Sequence, residues 1–371
     1  MDRIRILMVL DNTGRGGSQS FVMNVCRHIN WDRFQIDIAI TRNKRGGYDE
    51  EMAHLGCQIH NLVHFELLNY RQYVSCWNSF LDENHYDIVH GNVSGPAAIY
   101  LRIAHQHGCV TILHSHSSGY RGNWIERLVK RVMAPYAKHH ADLWFACAHQ
   151  AAIRLFGKDY VVDSRYQLIP NAIDVSCYKF DESIRDLVRS RHNISASTFV
   201  CGHVGSFSRP KNHEFLLRVF AQLHKNKPDS KLLLVGDGYL REEIVTLIRK
   251  MDLQEAVIMT GNVGNVEEYL MAMDVMIFPS LFEGFGLAVL ESQASGLPTI
   301  ISNTIPEDVV LSDLVQSQSL NDSPQKWADE ALRMASMPRN REDYNQIIAD
   351  TPYNINTSIS NIERLYDSLI H

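Results

Sequence analysis

The sequence is short of the features that usually declare a function. Its seven cysteines (Cys26, Cys57, Cys76, Cys109, Cys147, Cys177 and Cys201) are odd in number and scattered, with no C-x-x-C pair. That pattern speaks against a disulfide framework or a zinc site, and for a reducing compartment. No apolar run reaches the roughly 18 residues of a membrane span. The opening MDRIRILMVL passes straight into Asp11, as a short buried strand does and a signal peptide does not. A cytoplasmic protein is expected. No G-x-G-x-x-G fingerprint is present, which sets aside a dinucleotide oxidoreductase, and there is no repeat or low-complexity tract. Strong positive charge is missing too. The net charge is −6 and the pI near 6.3, so no nucleic-acid partner is expected.

What is present is length and alternation. The chain has 371 residues, 45% of them hydrophobic, which exceeds one typical core and suits two domains. Charge divides along it. Residues 1–180 carry 19 Lys+Arg against 16 Asp+Glu, with 13 of the 18 His; residues 181–371 carry 17 against 26. Two halves of opposite sign suggest two jobs. Apolar runs at 3–10, 34–40, 58–63, 86–92, 110–116, 143–148 and 166–172 read as strands, separated by helix-like stretches such as SQSFVMNVCRHI. A second series follows at 198–205, 231–238, 256–262, 274–280 and 297–303. This βαβα order predicts two α/β domains, each a doubly wound parallel sheet. The expected division is a first domain over 1–180, a charged linker over 181–197, a second domain over 198–351 and one helix over 352–371. Ligands of such sheets bind beyond the carboxyl ends of the strands, so the cleft between the domains is the natural site.

The stretch SLFEGFGLAVLESQASGLPTI, residues 280–300, holds Glu283 and Glu291 eight apart, after a strand. Its GFG supplies a turn that lets backbone approach a ligand closely, and the helix start behind it favours an anion such as a diphosphate. Eight residues at helical rise span about 12 Å. One carboxylate could then hold sugar hydroxyls and the other ribose hydroxyls, with phosphates between. Two glutamates at such an interval are more often plain surface residues, and that reading stays open on spacing alone.

Over a longer window, FPSLFEGFGLAVLESQASGLPTIIS closely resembles the donor-site signature of the family 4 retaining glycosyltransferases, which have the GT-B fold. YDIVHGN, LIPNAID, VGSFSRPKNHEFLLRVF, LLLVGDG and MTGNVGNVEEYLMAMDV resemble further blocks of that family in the same order, and SNTIPEDV resembles its capsule and exopolysaccharide members. The resemblance implies that the C-terminal helix returns to the first domain. It implies that Glu283 contacts the donor sugar, Glu291 the ribose, and the Phe285 and Gly286 backbone the donor. Gly205 and Val263 fall in donor-binding blocks. Lys211 matches the family's phosphate lysine, while Ser206 stands where the family has an arginine; Arg209 is the nearby cation that could replace it. Gly16 and Gly17, with Gly14, lie in the loop that faces the donor phosphates and the acceptor. His114 matches a histidine that contacts the donor sugar, His116 is second choice, and His90 reads as structural or as lining the acceptor side. No D-x-D pair occurs, so no metal is expected, nor any cofactor beyond the nucleotide-sugar.

The implied activity is transfer of a hexose or N-acetylhexosamine, with retention, from a UDP-linked donor to a growing polysaccharide or lipid-linked oligosaccharide. The alternatives are a catalytically inactive nucleotide-sugar-binding partner subunit, or a retaining enzyme with a soluble, protein or inositol-lipid acceptor. The basic amphipathic segment 121–140 could lie on an anionic membrane surface, which would make the protein peripheral at the cell membrane.

Overall fold

The computed structural model describes residues 3–14, 16–42, 46–116 and 136–370. The chain divides into two compact units, one made of Met1–Ala172 with Ile355–His371, the other of Ile173–Asn354.

Among the described residues of the first unit, seven strands form one parallel sheet: β1 (Ile4–Leu10), β2 (Phe34–Ile40), β3 (Ile59–Asn61), β4 (Ile88–Gly91), β5 (Val110–Ser115), β6 (Leu143–Ala146) and β7 (Tyr166–Leu168). Their order is β3-β2-β1-β4-β5-β6-β7. IRILMVL is nearly all apolar because a central parallel strand is covered on both faces. Successive side chains alternate between those faces. Leu7 and Val9 join the layer of Tyr73, Trp77 and Tyr100, whereas Ile6, Met8 and Leu10 join that of Phe21, Val22 and Ile38. The C-terminal helix, Ile355–Ile370, belongs to this second layer. Its Ile355, Ile359, Ile362 and Tyr366 recur at helical spacing and are buried there. Burying each such side chain is worth about 1.5–3 kcal/mol, so the helix is part of the first core.

The second unit holds β8 (Phe199–Val204), β9 (Ser230–Val235), β10 (Val257–Gly261), β11 (Val275–Phe278), β12 (Thr299–Ser302) and β13 (Val315–Gln318), parallel in the order β10-β9-β8-β11-β12-β13 among the described residues. β13 is absent from the sequence-based expectation. VQSQ has one apolar residue and pairs on one side only, with β12, so it lacks the double burial that writes an apolar run.

The stretch 181–197, expected as a linker, contains a helix, Glu182–Arg191, that belongs to the second unit. Asp181 caps it by accepting from the Ser183 and Ile184 N–H groups. Its charges are turned inward. Arg185 Nη2 and Arg189 Nη2 reach the two oxygens of Asp274 at 2.6 and 2.9 Å. Arg189 Nε also donates to Ala272 O, and Arg341 Nη1 to Met271 O and Met273 O. Three guanidinium groups thus close the carboxyl end of the helix Val266–Ala272, where cations suit both the open carbonyls and the dipole.

In each sheet the winding reverses once, between β1 and β4 and between β8 and β11. At such points the loops beyond the strand ends diverge and leave room for a ligand. Segment 121–140, read as a basic amphipathic helix, lies outside the described residues except for 136–140. Among the described residues no helix is long and apolar enough to cross a membrane.

Candidate functional site

In the second unit the switch point is built from the loops after β8 and β11. The loop after β8 passes Gly205 and Ser206, makes a short turn at Arg209–Lys211 and enters the helix His213–Asn226. Lys211 Nζ donates to Glu283 Oε1 at 2.6 Å across 72 residues of chain, and both side chains are mostly buried. Ser280 Oγ donates to the same oxygen at 2.8 Å. Ser280 is itself fully buried, and its carbonyl accepts from Ser302 Oγ and Thr304 Oγ1. Lys211 Nζ also lies 4.6 Å from the centre of the Phe278 ring. A Cβ on Gly205 would stand 3.1 Å from Lys211 Cε, so a larger residue there would displace the lysine.

Beyond Glu283 the chain turns through Gly286, whose φ of +97° suits glycine, and starts the helix Leu287–Ala294. The Leu287 and Ala288 N–H groups find no acceptor among the described residues. They leave a partial positive charge at the helix start, which follows Glu283 by four residues in the same loop. Phe285 is buried and stacks on Tyr353 with centroids 5.0 Å apart. Glu291 lies one turn into the helix, with the Tyr178 hydroxyl close enough to its carboxyl to favour the charged form. Burial pushes the Glu291 carboxyl up to about 7; the Glu267 charge adds to the rise, while the Tyr178 hydroxyl and the Lys211 charge oppose it. The same burial raises the Tyr178 phenol and the Glu267 carboxyl. Val263 packs against this core in the loop after β10. Arg209 and Ser206 are exposed. The Arg209 N–H donates to Tyr239 Oη, but its guanidinium has no ion-pair partner among the described residues. The fold therefore joins Lys211 with Glu283, sets Glu291 within reach of the Lys211 charge, and pairs Arg209 with neither glutamate among the described residues.

The helix begins only at Leu287, so the 12 Å reckoned along a continuous helix between the glutamates does not hold: 283–286 is turn. Sequence reading passed over Ser280, Tyr178 and Glu267. Ser280 was visible as the serine of FPS, but Tyr178 sits at the end of what was read as the first domain, with no motif around it.

In the first unit the switch point gathers the glycine loop after β1 and the histidines at the ends of β4 and β5. Gly16 precedes the helix Gly17–His28 with ordinary extended backbone, and the space beside Gly17 is open. The Gly14 N–H donates to Asn12 Oδ1 at 2.8 Å. His114 is buried, at 1% exposure, while His116 keeps some. Their rings lie 3.8 Å apart, and Phe21 packs on both. His90 Nε2 is 3.1 Å from His114 Nδ1, and His90 Nδ1 is 2.8 Å from Tyr366 Oη of the C-terminal helix. His116 Nε2 is 2.7 Å from Asn92 Oδ1. Burial holds all three imidazoles far below the usual histidine range, His90 and His116 at about 3, so they are neutral at pH 7. Of the two histidines proposed from sequence, the preferred one is thus the more enclosed.

Two doubly wound parallel sheets, each with polar side chains assembled beyond its point of reversal, define the GT-B class of transferases. The chain belongs to the glycosyltransferases: residues 15–176 match the model described as Glycosyltransferase Family 4, and residues 185–351 that described as Glycosyl transferases group 1. EpsF of Bacillus subtilis (strain 168), itself a glycosyltransferase by assignment, is 31% identical over 98% of this chain and 96% of its own. A UDP-Gal:alpha-D-GlcNAc-diphosphoundecaprenol alpha-1,3-galactosyltransferase of Escherichia coli is 28% identical over 60% of this chain and 59% of its own. Among solved structures, HepE of Anabaena in complex with UDP and glucose has the same fold, with a TM-score of 0.78 at 18% identity, covering 99% of this chain and 100% of that one.

Proposed function

We propose that this glycosyltransferase moves a hexose or N-acetylhexosamine from a UDP-linked donor to a lipid-linked or growing glycan, with retention and without a metal ion. The observation that carries the reading is the Lys211–Glu283 contact beside a helix start with open N–H groups. A cation and a helix terminus together suit a diphosphate leaving group. Glu283 holds hydroxyls of the donor sugar and Glu291 those of the ribose. Phe285, Gly286, Gly205 and Val263 shape the donor pocket, Gly16 and Gly17 face phosphate or acceptor, and Arg209 lends charge from the rim. His114 at the end of β5, with His116 as second choice, meets a sugar hydroxyl. The bond from the anomeric carbon to the phosphate oxygen breaks. The acceptor hydroxyl attacks from the same side and forms the new bond, and its proton passes to the departing phosphate. UDP and a diphosphoundecaprenol-linked acceptor are supported by the name of the Escherichia coli relative, and UDP also by the HepE complex. Ser206, standing where the family has an arginine, favours a second reading, a partner subunit that binds the donor without turning it over.

The test is nucleotide release from UDP-glucose, UDP-galactose, UDP-N-acetylglucosamine, UDP-N-acetylgalactosamine and GDP-mannose, with and without EDTA and with a lipid extract as acceptor. One donor should be turned over regardless of EDTA. Glu283→Ala should abolish release and Lys211→Ala should cut it by well over about tenfold. A strict need for Mg²⁺ or Mn²⁺ would overturn the metal-free chemistry. Tight donor binding with no release, even with the extract, would favour the second reading.

A further inference from the structure

The histidine cluster of the first unit has proton positions that follow from its partners. Asn92 Nδ2 donates to His90 O at 3.2 Å. A carbonyl only accepts, so the amide cannot be turned over without setting oxygen against oxygen. Asn92 Oδ1 therefore faces His116 Nε2 at 2.7 Å, and that nitrogen must carry the proton. His116 Nδ1 is left as a bare acceptor. It is buried and has no partner among the described residues.

A second chain of bonds starts at the C-terminal helix. Tyr366 is fully buried, and its hydroxyl meets His90 Nδ1 at 2.8 Å. With no other acceptor for the phenolic proton among the described residues, Tyr366 donates. His90 must then protonate Nε2 and donate it to His114 Nδ1 at 3.1 Å. His114 in turn carries its proton on Nε2, which is buried and also without a partner among the described residues. Buried polar atoms of a folded protein are rarely left unpaired without a reason.

We propose that Asn92 and Tyr366 are positioning residues that fix the tautomers of His116 and His114, so that the two neighbouring rings offer one nitrogen acceptor and one N–H donor to a hydroxyl of the sugar substrate. A hydroxyl both donates and accepts and satisfies either nitrogen. A phosphate diester oxygen only accepts and leaves His116 Nδ1 unpaired. This rests on the sugar-transfer reading above, and deepens it by naming what sets the polarity of the histidines.

The test is a long-range ¹H–¹⁵N spectrum of histidine-labelled protein, with signals assigned through His90→Gln, His114→Gln and His116→Gln variants. All three rings should show the Nε2–H tautomer. Asn92→Ala should release His116 into a mixture, and Tyr366→Phe, which keeps the buried ring, should do so for His90 and His114. Each of these two variants should cut donor turnover by about tenfold, the effect of losing one aligned hydrogen bond. An Nδ1–H tautomer for His114 or His116 in the unmodified protein would overturn the assignment. So would turnover lost with tautomers unchanged, which is mere packing, or tautomers changed with turnover intact. If no nucleotide-sugar is ever turned over, the sugar reading fails, yet the ring spectra still decide the tautomers.

Discussion

Glu291 lies within reach of the Lys211 charge, and the two groups make opposite demands on charge. The Glu291 carboxyl is pushed up to about 7, chiefly by burial, whereas an unfolded glutamate titrates at about 4.3. The folded state therefore holds the proton more tightly. The stabilisation this gives is full below about pH 4 and is lost as pH rises toward 7. Glu291→Gln should raise stability at pH 8 by about 1–3 kcal/mol and leave it unchanged at pH 4, read by urea unfolding. Binding should move the other way. A carboxylate accepts two ribose hydroxyls, so affinity for an intact nucleotide-sugar should rise between pH 5.5 and 8, about one proton's worth, and the dependence should vanish in Glu291→Gln. Affinity flat with pH in the unmodified protein would mean that Glu291 does not hold the ribose. None of this was legible in ESQASGLP, because the carboxyl's surroundings, Tyr178 and Glu267, arrive from distant parts of the chain.

Among the elements, the helix Glu182–Arg191 shows where reading by charge fails. ESIRDLVRSR looks like a solvated linker, and its buried positions include Val188 and Arg189. The arginines point inward because Asp274 and a row of helix-terminal carbonyls await them. Strands such as β1 and β12 were legible because double burial writes itself as an unbroken apolar run. Inward guanidinium groups leave no such trace, and neither does an edge strand like β13. The placement of Glu283 in a turn and Glu291 in a helix was readable from GFG, but where the helix begins was not. Removing Asp274 would leave Arg185 and Arg189 facing each other without their shared anion. Asp274→Ala should therefore cost about 3 kcal/mol of stability, measured by urea unfolding. A loss below about 1 kcal/mol would show that the backbone carbonyls satisfy the arginines alone.

Taken as a whole chain, the second unit is an insertion in the first. The path leaves the first unit after Ala172 and returns at Ile355, and the two crossings touch at the Ile173–Asn354 bridge. A fragment of residues 173–354 should fold cooperatively, since its core clusters draw on no residue outside it. Residues 1–354 should instead yield a first unit that aggregates or binds an apolar dye, because Ile355, Ile359, Ile362 and Tyr366 are missing from its core. Normal far- and near-UV spectra from that truncation would refute the assignment of the helix to the first core. The same insertion imposes an order on synthesis. A ribosome must deliver the 182 residues of the second unit before the closing helix of the first appears. At about 5–20 residues per second that is roughly 10–40 s during which one face of the first sheet waits only partly covered, a nascent chain exposed to chaperones while its later half is already complete.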